Sequence, residues 1–259
     1  MAETGEAPEV LTERRDGVLV ITLNRPAAKN AATLGVARGV AVALDELDAS
    51  DELRVGVITG AGGTFCAGMD LKGFLHDEYP MIEGRGFAGL TMAPPRKPLI
   101  AAVEGWALAG GFEMLLACDI VVAAETARFG VPEVRRALVA AAGAAMLLPR
   151  RIPLGAALEL LLTGDPIDAR RAHELGIVQR LTPTGGALDE AVALAATIAA
   201  NGPLAVAVTK QIARSAGDWT VEDGWRRQDE LINPVFASED AREGASAFAE
   251  KRTPVWKGR

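Results

Sequence analysis

The sequence predicts an α/β fold with a largely buried sheet. Short β-branched runs recur with helix-spaced segments between them, turn signals close those runs, and after about residue 195 only helical segments follow. In chain order, Val18-Leu-Val-Ile-Thr-Leu23 reads as a strand ended by the breaker Asn24-Arg25-Pro26. Residues 38–47 carry helical spacing, and Val55-Gly-Val-Ile-Thr59 is a second buried strand closed by Gly60-Ala-Gly-Gly63. Leu99-Ile-Ala-Ala-Val103 and Ile120-Val-Val-Ala-Ala124 repeat the theme. Residues 187–200 are Ala-rich and stop at Asn201-Gly202-Pro203, after which 204–215, 221–232 and 240–251 read as three more helices. A strand-free tail of this kind packs on another subunit or folds back on its own core. The expected division is a flexible N-terminus at 1–9, a core at 10–195 and a helical region at 196–259.

Composition removes several function classes. The formal net charge is −7, and the basic residues form no cluster longer than pairs such as Arg150-Arg151, so nucleic acid and anionic membrane are poor partners. The hydrophobic fraction of 49% is inflated by 48 alanines, and no uninterrupted apolar run reaches the ~18 residues of a spanning helix. Residues 1–9 hold three Glu and no apolar core, unlike a secretory signal. Two cysteines, Cys66 and Cys118, build no disulfide framework, and the expectation is a cytoplasmic protein.

The inventory of reactive residues narrows the chemistry further. His76 and His173 are the only histidines, and neither has metal-ligand spacing; His173-Glu174 reads as a solvated helix end. None of the four serines stands in G-x-S-x-G, and a cysteine nucleophile would need a neighbouring histidine. Gly60-Ala-Gly-Gly-Thr-Phe65 lacks the third glycine of a dinucleotide loop, and no phosphate-binding P-loop is present.

Two glycine-rich turns and two carboxylates remain. In Ala102-Val-Glu-Gly-Trp-Ala-Leu-Ala-Gly-Gly-Phe-Glu113, a buried strand runs through small residues into an apolar helix. The N–H of Gly110 then lies at a helix N-terminus, where donors and dipole favour developing negative charge. The loop Gly63-Thr-Phe-Cys-Ala-Gly-Met-Asp-Leu-Lys72 also follows a strand and exposes amides beside glycines. Tight strand–helix packing explains either loop alone; the two in this order point to an oxyanion site. Glu113, between Phe112 and Met114, and Glu133, after Pro132, are carboxylates with apolar neighbours and are expected to have raised pKa values. The blander alternatives are a first-turn helix acid for Glu113 and a cap for Glu133.

These residues, with Asn24-Arg-Pro, Ile58-Thr-Gly-Ala-Gly, Phe65-Cys-Ala-Gly-Met-Asp-Leu-Lys, Lys97-Pro-Leu-Ile-Ala-Ala-Val, Ala109-Gly-Gly-Phe-Glu, Phe129-Gly-Val-Pro-Glu, Leu162-Thr-Gly and Ala247-Phe-Ala-Glu-Lys-Arg, resemble the crotonase, or enoyl-CoA hydratase/isomerase, superfamily. The resemblance runs from about Leu11 to the C-terminus, and within the family Gly86-Phe-Ala-Gly-Leu-Thr91, Gly110-Gly-Phe-Glu-Met and the terminal residues look most like the carnitinyl-CoA dehydratases. It implies a crotonase spiral of β-β-α repeats followed by a helical trimerisation region, assembled as a trimer or dimer of trimers. It implies oxyanion amides at Met69 and Gly110, catalytic glutamates at Glu113 and Glu133, and no metal or redox cofactor, coenzyme A being part of the substrate. The loop Met69-Asp70-Leu71-Lys72 would line the CoA arm, the segment from Asn24-Arg25-Pro26 through Ala28 to Asn30 would lie near its adenine end, and Phe248 and Lys251 would approach CoA from a neighbouring subunit. The implied reaction is reversible hydration of a 2-enoyl-CoA. An enoyl-CoA isomerase, which needs one carboxylate, a crotonobetainyl-CoA hydratase and a non-catalytic acyl-CoA-binding protein are the alternatives; an RNA-binding role has no support in the charge.

The chain departs from the family just past Glu133. Where many hydratases carry Gly-x-x-Pro-x-x-Gly-Gly, it reads Ala137-Leu-Val-Ala-Ala-Ala-Gly143-Ala, which is expected to reshape the roof of the acyl pocket. Arg135 and Arg136 stand where relatives are often apolar and read as solvated surface arginines.

Overall fold

The computed structural model describes residues 7–259, Phe74 by its backbone alone. The first six residues of the expected flexible N-terminus thus lie outside the described residues. The main sheet has six strands in the order β1 (Val10–Arg15), β2 (Val18–Leu23), β3 (Val55–Gly60), β6 (Leu99–Val103), β8 (Ile120–Ala124) and β11 (Arg180–Thr182). From β2 onward the neighbours are parallel, and the apolar strands are buried on both faces, as the near-continuous Val/Ile/Leu/Ala runs require. One face packs under α1 (Leu34–Ala49) and the rest of the main core; the other packs Val18, Val20, Val55, Val57, Ile100, Ala102 and Val122 against Ala187, Ala191 and Ala195 of α7 (Ala187–Ala199). Those alanines let α7 lie close on the sheet.

Short strands escaped the sequence reading. β1 is exposed and polar along most of its length, so no apolar run betrays it, yet Asp16-Gly17, both with positive φ, makes the two-residue hairpin turn that pairs it antiparallel with β2. A second sheet joins β7 (Trp106–Leu108), β9 (Arg128–Gly130) and β10 (Ile167–Asp168), and β4 (Met81–Ile82) pairs with β5 (Gly86–Phe87). Consecutive strands alternate between the sheets: β6 is followed by β7 and then α3 (Gly110–Ala117), and β8 by β9 and then α4 (Ala144–Arg151). This is the β-β-α repeat. The helix α2 (Leu71–Phe74) precedes the first of these units, and α5 (Leu154–Thr163) and α6 (Ala169–Glu174) follow the second.

The C-terminal region is helical as expected: α8 (Pro203–Ser215), α9 (Val221–Phe236) and α10 (Glu239–Glu250). It is tied to its own core by charge. Asp119 at the foot of β8 receives Lys210 Nζ at 2.7 Å and Arg214 Nε at 2.6 Å, while its Oδ2 accepts the N–H of Leu99 at 2.8 Å. Lys210 also donates to the carbonyls of Pro95 and Lys97. Further along, α9 and α10 leave Trp225, Phe236 and Phe248 exposed. Among the described residues no single helix is long and apolar enough to cross a membrane.

Asp119→Ala strands Lys210, whose ammonium burial already holds below its ordinary pKa. Removing one partner of such a pair is expected to cost about 3 kcal/mol in urea unfolding. A loss under about 1 kcal/mol, the range of surface pairs, would show that the helical region is held by other means.

Candidate active site

The site is built where two chain segments run side by side and then part. Residues 64–66 lie parallel to β7: the N–H of Phe65 donates to the Glu104 carbonyl, that of Cys66 to Trp106, and that of Leu108 back to Cys66. At Gly68 and Ala109 the pairing ends. Gly68 has φ of +104°, and a Cβ there would stand 2.8 Å from the Ala109 Cβ and 3.4 Å from the Gly110 nitrogen, so glycine is required for the approach. Ala109 itself holds φ 51° and ψ −128°, a conformation costing about 1–3 kcal/mol, and its own N–H donates to the Gly130 carbonyl. This strained residue is the N-cap of α3.

The consequence is two neighbouring donors. Gly110 opens α3, and its N–H has no acceptor among the described residues; the same holds for Met69, whose flanking groups are used in a bridge to Ala32. That bridge belongs to a wider clamp. Asn30 is fully buried, at φ 54°, and its amide donates to the carbonyls of Ala61 and Thr64 while its Oδ1 accepts the N–H of Arg25. Sequence reading passed over Asn30 as one residue of a segment; a lone Asn after a breaker gives only a weak turn signal.

A cavity of about 380 Å³ opens beside the two donors, and Met69, Gly110, Glu113, Glu133 and Arg136 all line it with the apolar side chains of Leu71, Met81, Phe87, Leu138 and Val139. Glu113 lies in the first turn of α3 and is buried. Its Oε1 accepts the N–H groups of Ala142 at 2.8 Å and Ala144 at 3.0 Å, which leaves Oε2 free of these bonds. Burial pushes its pKa up, and the backbone donors of residues 142–144 partly offset that. Glu133 sits in the 3-10 turn Pro132–Arg136, and its Oε2 is buried with no hydrogen-bond partner among the described residues. Burial, with the Glu113 charge in support, raises its pKa from 4.5 to about 7. The expected pair of perturbed glutamates is therefore present in one cavity.

The other expected site residues divide into two groups. Leu71 reaches the cavity wall, and Lys72 is exposed on the short α2, whose N-cap is Asp70. Arg25 braces this corner: it meets Glu9 at 2.8 Å, Asp70 at 2.9 Å and the Ala31 carbonyl at 2.6 Å. Burial raises the Asp70 pKa, but the Arg25 hydrogen bond and nearby cations outweigh it and hold the carboxyl below its usual value. Ala28 lies in the turn Pro26–Ala28 next to this brace. Phe248 and Lys251, in contrast, lie at the end of α10, away from the cavity lining of the same chain, with Phe248 88% exposed.

Arg135 and Arg136 are both exposed, as expected: Arg135 is ion-paired with Asp165 and bonded to the Thr163 carbonyl, while Arg136 also contributes to the cavity lining. In a 3-10 turn side chains three residues apart eclipse, so Arg136 shares the face of Glu133. The replaced segment is also better defined than its composition indicates: Leu138, Val139, Ala141 and Ala142 form cavity wall, and its backbone holds Glu113. The two thiols are buried outside the cavity lining, and burial pushes Cys66 up to about 11 and Cys118 up to about 12. Among the described residues no group of three or more His, Cys, Asp or Glu is arranged to hold a metal ion.

A model of the family described as enoyl-CoA hydratase/isomerase matches residues 13–259. The chain belongs to this family. It is 41% identical to enoyl-CoA hydratase EchA19 of Mycobacterium tuberculosis over the full length of both chains. It is 40% identical to the carnitinyl-CoA dehydratase of Proteus mirabilis, covering 95% of this chain and 97% of that one. A crystal structure of an enoyl-CoA hydratase from Mycobacterium tuberculosis, 55% identical, superposes with a TM-score of 0.96 over 98% of this chain and 100% of the other. The architecture is the crotonase fold.

Asn30→Ala removes three buried hydrogen bonds and places alanine at positive φ. The expected loss is about 3 kcal/mol in chemical denaturation. A change within about 0.5 kcal/mol, the range of an ordinary surface substitution, would mean that the clamp around Met69 does not rest on Asn30.

Proposed function

We propose that this chain adds water reversibly across the 2,3 double bond of a 2-enoyl-CoA thioester. The reading is carried by one observation: two backbone donors without protein acceptors share a cavity with two glutamates of perturbed pKa. The N–H groups of Met69 and Gly110 receive the thioester oxygen as it gains enolate charge, and each such donor is worth about 3 kcal/mol to the transition state. Polarising the thioester makes Cβ electrophilic, but water must also lose a proton and Cα must gain one.

The two glutamates divide this work according to their surroundings. Glu113 has backbone donors that favour its carboxylate, whereas the buried Oε2 of Glu133 has none and is better served by a proton. The pair titrates together, with the proton of the singly protonated form residing mainly on Glu133. In hydration, Glu113 takes a proton from water as it attacks Cβ, and Glu133 delivers its proton to Cα. Elimination reverses both transfers. An isomerase needs one carboxylate, so coupling of two favours hydration.

The scheme uses no metal or redox cofactor. In this reading Ala28, Leu71 and Lys72 face the CoA arm while Arg25 and Asp70 hold their loops. The chain assembles as a trimer or a dimer of trimers, bringing Phe248 and Lys251 of one subunit toward CoA in the next, which suits the exposure of Phe248. A cytoplasmic acyl-CoA enzyme, without nucleic acid or membrane partners, suits the acidic charge.

Glu133→Gln is expected to lower hydration of crotonyl-CoA by about 10²–10⁴-fold with binding of the thioester kept within a few-fold, read from product mass and calorimetry. Undiminished turnover would reject the two-glutamate scheme. The pH profile has a defined sign: a general acid is active while protonated, so kcat/KM for hydration should fall as pH rises through about 7. A rise through that range would exchange the roles of the two carboxylates.

A further inference from the structure

Arg136 is the cation in the lining of the cavity, whose remaining polar side chains are Glu113, Glu133 and Tyr79. Its neighbour Arg135 is spent on Asp165 and the Thr163 carbonyl, but among the described residues Arg136 has neither a hydrogen bond nor an ion pair. The 3-10 geometry fixes where its charge stands. Glu133 and Arg136 are one turn apart on a common face, which places their Cα atoms about 6 Å from each other along the turn axis. Arg136 is exposed and follows Glu133 in the chain segment that also brings Leu138 and Val139 to the cavity, a different segment from the one that brings Met69 and Leu71.

We propose that Arg136 selects acyl groups ending in a carboxylate, so that the preferred substrates are 2-enoyl-CoA thioesters carrying a second, distal acid. This rests on the hydratase reading for the reaction, but not for the recognition. Once the thioester oxygen lies at Met69 and Gly110 and the 2,3 carbons lie at the glutamates, the distal end of a short acyl group extends along the wall that carries Arg136. A guanidinium binds a carboxylate with two parallel N–H donors, and a neutral alkyl end gains nothing from it. A quaternary ammonium end would meet like charge, which sets this cavity apart from one built for a carnitine-type acyl group.

The test separates recognition from turnover by using saturated thioesters of similar length: butyryl-CoA, glutaryl-CoA and 4-(trimethylammonio)butyryl-CoA. Their dissociation constants are measured by titration calorimetry on the full chain and on Arg136→Gln and Arg136→Glu. Glutaryl-CoA should bind the unmodified protein about five- to tenfold more tightly than butyryl-CoA, with the ammonium thioester weakest. Arg136→Gln should remove that ranking and Arg136→Glu should invert it. Identical ratios in all three proteins would overturn the proposal. So would an equal loss for all three thioesters, which would assign Arg136 to the shared CoA moiety. Crotonyl-CoA turnover, followed in parallel, reports on the hydratase reading alone: its absence leaves the binding ratios to decide the role of Arg136.

Discussion

The constraint on which the site depends is the side-by-side run of residues 64–66 with β7. Three backbone hydrogen bonds hold the two segments in register until Gly68 and Ala109, where both turn away and leave the N–H groups of Met69 and Gly110 without partners. Backbone amides are otherwise nearly always paired, so unsatisfied donors persist only where surrounding structure over-determines them. Here the over-determination is visible on every side. Asn30 fixes the first loop from below, the Gly130 carbonyl fixes Ala109, and the Phe87 ring packs so close to Gly110 that a Cβ there would come within 2.3 Å of it. The donors are thus aimed before a ligand arrives, which is what electrostatic stabilisation of a developing charge requires.

The carboxylates follow from the same packing. Because Gly110 starts α3, Glu113 falls one turn into the helix and faces the cavity instead of the core residues Phe112 and Met114. Burial pushes its pKa up. The amides of Ala142 and Ala144 give back part of the stabilisation that water would have supplied, while the buried Oε2 of Glu133 has no hydrogen-bond partner among the described residues. Burial thus raises the pKa of both acids, that of Glu133 to about 7, a pattern suited to paired acid and base chemistry.

Much of this was legible in the sequence, and the exceptions share a cause. Buried strands such as Val55–Gly60 and Leu99–Val103 announce themselves by continuous apolar composition, and the glycine-rich loops by their position after such strands. The strands of the second sheet are two or three residues long, too short for any periodicity to register, and β1 is polar because it is an exposed edge. Its Asp16-Gly17 turn was a readable hairpin signal. Asn30 and Arg136 were opaque for a different reason: the roles depend on where a side chain points after folding. Two adjacent arginines have equal claim to a surface in the sequence and both are exposed, but only the 3-10 turn pairs Arg135 with Asp165 and brings Arg136 to the rim of residues lining the cavity.

The replaced segment at residues 137–144 shows why a family site survives such a change. What Glu113 needs from this stretch is supplied by the N–H groups of Ala142 and Ala144, and every residue except proline carries one. The chain holds the required path with Ala137 at φ 56° and Gly143 at φ 125°, so one turn residue is a strained alanine and the other a glycine. The hold on Glu113 is therefore insensitive to side-chain identity, whereas the cavity lining at Leu138, Val139 and Arg136 is made of side chains and responds directly to substitution. Backbone contacts to Glu113 and side-chain lining of the cavity are carried by the same short stretch. This lets the lining change while the hold on Glu113 stays in place.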